Sequence, residues 1–146
     1  MSLRIDKADA VHAAVLATLH AESIAPPWSA DTFATLLDQP GVAGWIAVEQ
    51  EEPVGLMLAR VAADEAEILT LAVLPRARRQ GIARDLMAQL VTWAATVKAA
   101  RLFLEVAEDN VAARGLYERS GFALVGRRND YYAPGNAALL LVRTIR

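Results

Sequence analysis

The chain has no cysteine. That excludes disulfides, a thiol nucleophile and thiolate ligation of a metal, and it fits a cytoplasmic address. Aromatic residues make up only 6% of the sequence and are not interleaved with the arginines, which argues against nucleic-acid binding. No apolar stretch approaches the roughly 20 residues that cross a bilayer. The N-terminus carries acids early, at Asp6 and Asp9, and lacks the charged start and apolar run of a signal peptide. No membrane role is therefore expected. The two histidines, His12 and His20, have no acid or third ligand at a suitable spacing, so they read as surface or core residues and no metal is expected. Ser29 and Ser120 lack a nearby histidine, which leaves no hydrolase triad. The Gly-x-x-x-x-Gly-Lys-Ser/Thr loop and the three-glycine dinucleotide fingerprint are both missing.

What is present is 146 residues, 55% apolar and 22% charged, enough for one globular domain over residues 1–146 with a real core. The net charge of −2 hides an asymmetry. Residues 1–75 hold three cations against eleven acids, and residues 76–146 hold twelve cations against six. Most of those arginines read as a solvated face. Arg76, Arg78, Arg79 and Arg84 are clustered more tightly, which suggests a local anionic ligand.

Hydrophobic periodicity gives the order β-α-α-β-β-β-α-β-α-β-β. A short strand at Leu3–Ile5 precedes a helix over Ala8–Glu22, with Val11, Val15 and Leu19 expected on one face. Ser29 is the expected N-cap of a short second helix. Trp45–Glu49 and Val54–Val61 flank a turn and read as a hairpin, and Glu67–Val73 follows as a strand. A helix from Gly81 carries Ile82, Leu86, Leu90 and Trp93 on one face. Arg101–Val106 is a strand, Val111–Ser120 a helix ended by Gly121, and Ala123–Arg128 and Ala138–Ile145 are the last two strands. The strand-helix-strand unit from Glu67 to Val106 implies a parallel pair inside a mixed sheet.

The most informative segment is Arg78-Arg79-Gln80-Gly81-Ile82-Ala83. It follows the apolar run Ile68–Val73 and opens a helix. Unpaired N–H groups and the helix dipole make such a start an anion site, and Gly81 lets the backbone approach a pyrophosphate. Glu105, inside Leu102-Phe103-Leu104-Glu105-Val106, has two readings. Apolar surroundings would suit it to act as a general base, whereas strand alternation would simply turn it to solvent. Tyr117 reads by itself as core packing, although a phenol in a dry site can protonate a leaving group. Asn110 reads as an N-cap or as a hydrogen-bond partner for a ligand crossing the helix end.

Together these residues resemble the GCN5-related N-acetyltransferase (GNAT) family. Its Arg/Gln-x-x-Gly-x-Gly/Ala hallmark is matched by Arg78, Gly81 and Ala83, and a second segment by Asn110, Leu116-Tyr117 and Gly121-Phe122. Within the family the chain is similar to the ribosomal-protein alanine N-acetyltransferases, through Pro27-Trp28-Ser29, Leu104-Glu105-Val106, Ala112–Tyr117 and Arg127-Arg128-Asn129 before Tyr131-Tyr132. The resemblance implies an α/β (α+β) fold, a single GNAT-type domain with a mixed central sheet of about seven strands and helices on both faces. It implies acetyl-CoA as cosubstrate, held by Leu71, Ala72, Val73, Arg78, Arg79, Gln80, Gly81, Ile82, Ala83, Arg84 and Asn110, with a strand splay near Leu71–Val73 binding the pantetheine. It also implies Glu105 as proton acceptor and Tyr117 as proton donor, direct transfer without a covalent enzyme intermediate, and a protein or peptide N-terminus as acceptor. Two other readings stay open: an acetyltransferase for a different amine, and a non-catalytic acyl-CoA-binding module.

Overall fold

A mixed sheet of seven strands organises residues 3–145, the part of the chain described by the computed structural model. In chain order the elements are β1 (Leu3–Ala8), α1 (Ala13–Ser23), α2 (Ala30–Leu37), β2 (Val42–Glu49), β3 (Glu52–Ala62), β4 (Glu65–Val73), α3 (Ile82–Thr96), β5 (Arg101–Ala107), α4 (Val111–Arg119), β6 (Ala123–Ala133) and β7 (Asn136–Thr144). The strands lie in the order β1-β2-β3-β4-β5-β7-β6. Every neighbouring pair is antiparallel except β4 and β5, which are parallel as expected. No helix among the described residues is long and apolar enough to cross a membrane.

Strand alternation sorts side chains to the two faces of the sheet. One face holds α1 and α2: Thr70 of β4 meets His20 of α1, and Gly44 of β2 lies against Leu37 of α2. The other holds α3, where Trp45 packs edge-on against Trp93 and Gly55 lies against Ile82. Tyr117 of α4 and Phe122 share one buried cluster with Leu104 and Val106 of β5 and Leu139 and Leu141 of β7. The helices therefore flank both faces, but α1 and α2 cover only the half built by β2, β3 and β4. On that side the β5–β7 half is left open.

A bulge in β4 sets which residues reach α1. Leu58 faces Thr70 while Ala59 faces Ile68, so Leu69 is an extra residue. The insertion flips the alternation. Glu65 and Glu67 lie on the α1 face at the start of the strand, yet farther along it is Thr70 and Ala72 that do.

The helix expected over Ala8–Glu22 needs correction. Ala8 ends β1, paired with Gly44, and a 3-10 turn over Ala10–His12 intervenes before α1. Asp9 starts that turn: its carboxylate accepts from the Val11 N–H at 3.1 Å, and its own N–H donates to His12 Nδ1 at 3.0 Å. The later start changes the buried face to Ala13, Leu16, Leu19 and His20, and leaves Val11 and Val15 85% and 40% exposed. The last hairpin is longer than expected, with β6 continuing to Ala133 and β7 beginning at Asn136. Ser29 caps α2 as expected, its hydroxyl accepting from the Thr32 N–H at 3.1 Å.

His20 is 1% exposed and hydrogen-bonded on both ring nitrogens. The Trp28 N–H donates to Nδ1 at 2.9 Å, so the neutral ring carries its proton on Nε2 and donates to Thr70 Oγ1 at 3.0 Å. Trp28 and Phe33 pack around the ring, with centroids 5.1 and 5.3 Å away. Burial lowers the His20 pKa below the ordinary 6.5. A folded-state pKa below the unfolded value means that the stabilising contribution is present above pH 6.5 and is lost as the pH falls through the folded value. Urea unfolding from pH 7.5 down to 4.5 should show a steeper loss of stability in the wild type than in His20→Gln. Parallel curves would remove His20 as a source of acid sensitivity.

Candidate active site

The parallel ladder between β4 and β5 is short. It pairs Glu65 with Arg101, Ala66 with Leu102 and Glu67 with Phe103, and goes no further. Beyond it β4 runs on to Val73 and β5 to Ala107 without pairing to each other. The strands part there, and the backbone edge of Leu71, Ala72 and Val73 that faces away from β3 is left without a strand partner. The splay expected near these residues is present.

The loop after β4 leads to the start of α3. Gly81 is the N-cap with φ +83°, and Arg79 is also left-handed at φ +64°. No side chain caps the helix, and the first N–H that finds an intrahelical acceptor is that of Asp85, which donates to Gly81 O at 3.0 Å. The N–H groups of Ile82, Ala83 and Arg84 therefore have no hydrogen-bond acceptor among the described residues and are open to an anion, reinforced by the helix dipole. Ile82 is buried and anchors the helix start, whereas Gln80 and Arg84 are exposed. A Cβ on Gly81 would stand 2.9 Å from the Arg84 guanidinium.

The four arginines of this region are placed differently. Arg76 pairs with Glu52 at 3.3 Å, and Arg84 Nε lies 4.0 Å from Asp85. Arg78 turns its guanidinium to carbonyl oxygens: Nε donates to Val73 O at 3.0 Å and Nη2 to Ser23 O at 3.4 Å. Asn110 takes its helix-capping role, with Oδ1 accepting from the Ala113 N–H at 3.2 Å.

Glu105 lies just beyond the point where the strands separate. It points to the open face, between the buried Leu104 and Val106, and its side chain is one-third exposed (33%). The apolar neighbours in sequence do not enclose it, because alternation sends them to the other side of the sheet. Its spatial partner is Arg128 of β6, 3.4 Å away, a residue not expected at the site. Arg128 also lies 5.2 Å from the Tyr131 ring. Burial, followed by the nearby Glu105 charge, raises the Tyr132 pKa. Beside them Arg127 grips Glu108 through both carboxylate oxygens, which lowers the Glu108 pKa. The sequence signal that could have found Arg128 is spatial adjacency across β5, β7 and β6: Glu105 is opposite Leu140, and Arg128 is opposite Ala138.

Tyr117 is 8% exposed, set edge-on against Phe122 with ring centroids 5.8 Å apart. Burial pushes its pKa up to about 12. No hydrogen bond joins it to Glu105 among the described residues.

A helix start with free N–H groups thus follows β4, whose end parts from β5, and Glu105 stands on β5 just beyond the parting, while Tyr117 is buried with Leu104 and Val106. Residues 13–122 match the Acetyltransferase (GNAT) family. The chain belongs to the GNAT family. It is an N-acetyltransferase by that membership. It is 33% identical over 106 residues to the [ribosomal protein bS18]-alanine N-acetyltransferase of Escherichia coli strain K12, covering 73% of this chain and 71% of that one. The crystal structure of the ribosomal-protein-S18-alanine N-acetyltransferase from Escherichia coli superposes with a TM-score of 0.92 at 26% identity, covering 99% of this chain and 94% of that one. The fold is also that of Arabidopsis thaliana NAA60 in complex with acetyl-CoA, with a TM-score of 0.85 at 22% identity over 99% of each chain.

Tyr117 carries a stability consequence independent of chemistry. Its folded pKa lies above the ordinary 10.0, so its contribution is fully present below pH 10 and is lost as the pH rises toward about 12. The gap is worth about 3 kcal/mol. Chemical denaturation at pH 8 and pH 11 should show a larger loss in the wild type than in Tyr117→Phe. Equal losses would place the alkaline sensitivity elsewhere.

Proposed function

We propose that this chain transfers acetyl directly from acetyl-CoA to an α-amine, the N-terminal alanine of a ribosomal protein. The observation that carries the reading is the parting of β4 and β5 beside an uncapped, glycine-led helix start, with Glu105 at the open side of the same gap. The free N–H groups of Ile82, Ala83 and Arg84, with Arg79 and Gln80 alongside, would hold the pyrophosphate. The free edge of Leu71, Ala72 and Val73 would bind the pantetheine amides, and Asn110 would border the same groove. A backbone N–H near Val73 would stabilise the tetrahedral oxyanion. Much of the acceleration then comes from holding two substrates in one orientation.

The acceptor amine must lose a proton, and Glu105 takes it directly or through one water. An α-amine ionises near 7.7–8.0 whereas a lysine side chain does so near 10.4, so a carboxylate can prepare the first far more readily than the second. This favours a chain terminus as acceptor. The open face around Glu105 and Arg128 also leaves room for a polypeptide. A cytoplasmic location goes with such an acceptor.

Tyr117 stays protonated throughout the physiological range. A phenol at about 12 is a weaker acid than a thiol near 8.5 by about three powers of ten. Its contribution is thus a hydrogen bond to the departing thiolate that tightens as the charge develops.

With acetyl-CoA and a peptide bearing a free N-terminal alanine, Glu105→Gln should lower kcat by about 10²–10⁴-fold and Tyr117→Phe by about 10²-fold, with acetyl-CoA affinity nearly unchanged. CoA release and peptide mass report both. Wild-type rates in the variants would remove the assigned roles. Acetylation of a blocked peptide that retains a lysine would move the acceptor to a side-chain amine, and binding of acetyl-CoA without transfer to any acceptor would mark a binding module.

A further inference from the structure

Arg78 heads the family motif, yet its guanidinium bonds to two backbone carbonyls. One belongs to Val73, the last residue of β4, and the other to Ser23, the last residue of α1, 55 positions away in sequence. The Ser23 carbonyl lies in the final turn of α1, where the last four carbonyls have no intrahelical partner and the helix dipole favours a cation. A forked, planar donor can serve both acceptors at once; a lysine ammonium is a single point charge.

The same end of α1 is fixed by a second contact. His20 accepts the Trp28 N–H and bonds Thr70 of β4, and the Ile24 N–H donates to His20 O at 2.8 Å. The connection from Ile24 to Ser29 is thus joined to β4 at Thr70 through His20 and at Val73 through Arg78. Val73 ends β4 and Glu105 lies on β5, so the start of this connection is tied to the β4 edge of the gap while Glu105 stands on the β5 edge, on the same α1 face. Arg78 belongs at the same time to the loop that turns into α3.

We propose that Arg78 is a positioning residue that ties the cofactor loop to the C-terminal turn of α1, setting the Ile24–Ser29 connection relative to the β4–β5 gap for the acceptor. The acceptor part rests on the function proposed above. Loss of the tie leaves the free N–H groups of α3 in place and loosens the wall against which the acceptor is aligned. Displacement of that wall weakens the alignment of the acceptor, which reads chiefly in the acceptor KM.

The test uses the full chain with Arg78→Lys, which keeps the charge, and Arg78→Gln, which removes it. Three quantities are measured: acetyl-CoA Kd by calorimetry, KM and kcat for the alanine peptide, and amide hydrogen exchange. In both variants the expected acetyl-CoA Kd stays within about 3-fold, the acceptor KM rises about 10-fold with a smaller change in kcat, and the Ile24 and Trp28 amides exchange about 10-fold faster while Leu86 and Leu90 are unchanged. Lysine does not rescue, because one ammonium cannot replace the fork. The proposal is overturned if acetyl-CoA Kd rises about 10-fold in Arg78→Gln and recovers in Arg78→Lys with exchange unchanged, which is the behaviour of an anion contact. Should the wild type acetylate no peptide, the functional reading fails separately and the exchange measurement still decides: faster exchange at Ile24 and Trp28 upholds the tie, and unchanged exchange overturns it.

Discussion

The constraint on which the site depends is the shortness of one ladder. Parallel strands in a sheet normally stay paired and buried on both faces. Here β4 and β5 are paired from Glu65/Arg101 to Glu67/Phe103 and then part. Their outer neighbours remain fully paired, β4 with β3 up to Val73 and β5 with β7 up to Ala107, so each strand is held rigidly while the gap stays open. Unpaired backbone groups inside a protein are costly unless something satisfies them. A groove edged by such groups, ending at a helix start with more free N–H donors, is what the proposed binding of acetyl-CoA would use.

Coverage of the sheet supplies the second half of the arrangement. Two helices on the α1 face shield β2, β3 and β4, and the same face of β5, β7 and β6 stays open. Leu139 and Leu141 are buried whereas Leu140 and Val142 are only partly so, as one-sided coverage requires. Glu105 shares the open side with Leu140, and Arg128 is the charge beside it. An exposed pair of this kind contributes little to stability, which leaves Arg128 free to move when another cation, such as an acceptor's ammonium, approaches Glu105.

Much of this was legible in the sequence where a local rule decides the outcome. Gly81 opens α3, Ser29 caps α2, and Gly121, at φ +90°, follows α4 where a left-handed residue was expected. The order of elements along the chain followed from periodicity, and the parallel unit from the strand-helix-strand connection. What failed did so for identifiable reasons. The face of α1 was misread because the Asp9 cap delays the helix and changes its phase. The bulge at Leu69 leaves no mark in an apolar run, yet it decides that Thr70 rather than Leu69 meets His20. Of the two readings open for Glu105, strand alternation decided the orientation, because neighbours in a strand lie on opposite faces; its contacts come from β6 and β7, about 20 to 35 residues later.

Arg78 and Arg128 show why motif identity and physical role need separate arguments. A basic residue at the head of an anion-binding loop invites assignment to the anion, but Arg78 is geometrically committed to two carbonyls, and the helix start offers anion donors without it. Arg128 sits in no phosphate motif and is nonetheless the cation nearest the proposed base. In the proposed reading the backbone would carry the pyrophosphate, as an uncapped N-terminus with glycine at the turn can. The arginines are left to set distances: Arg78 between the cofactor loop and α1, and Arg128 between β6 and Glu105. In the proposed reaction that division would let donors fixed in the backbone hold one substrate while side chains that bridge elements align the other.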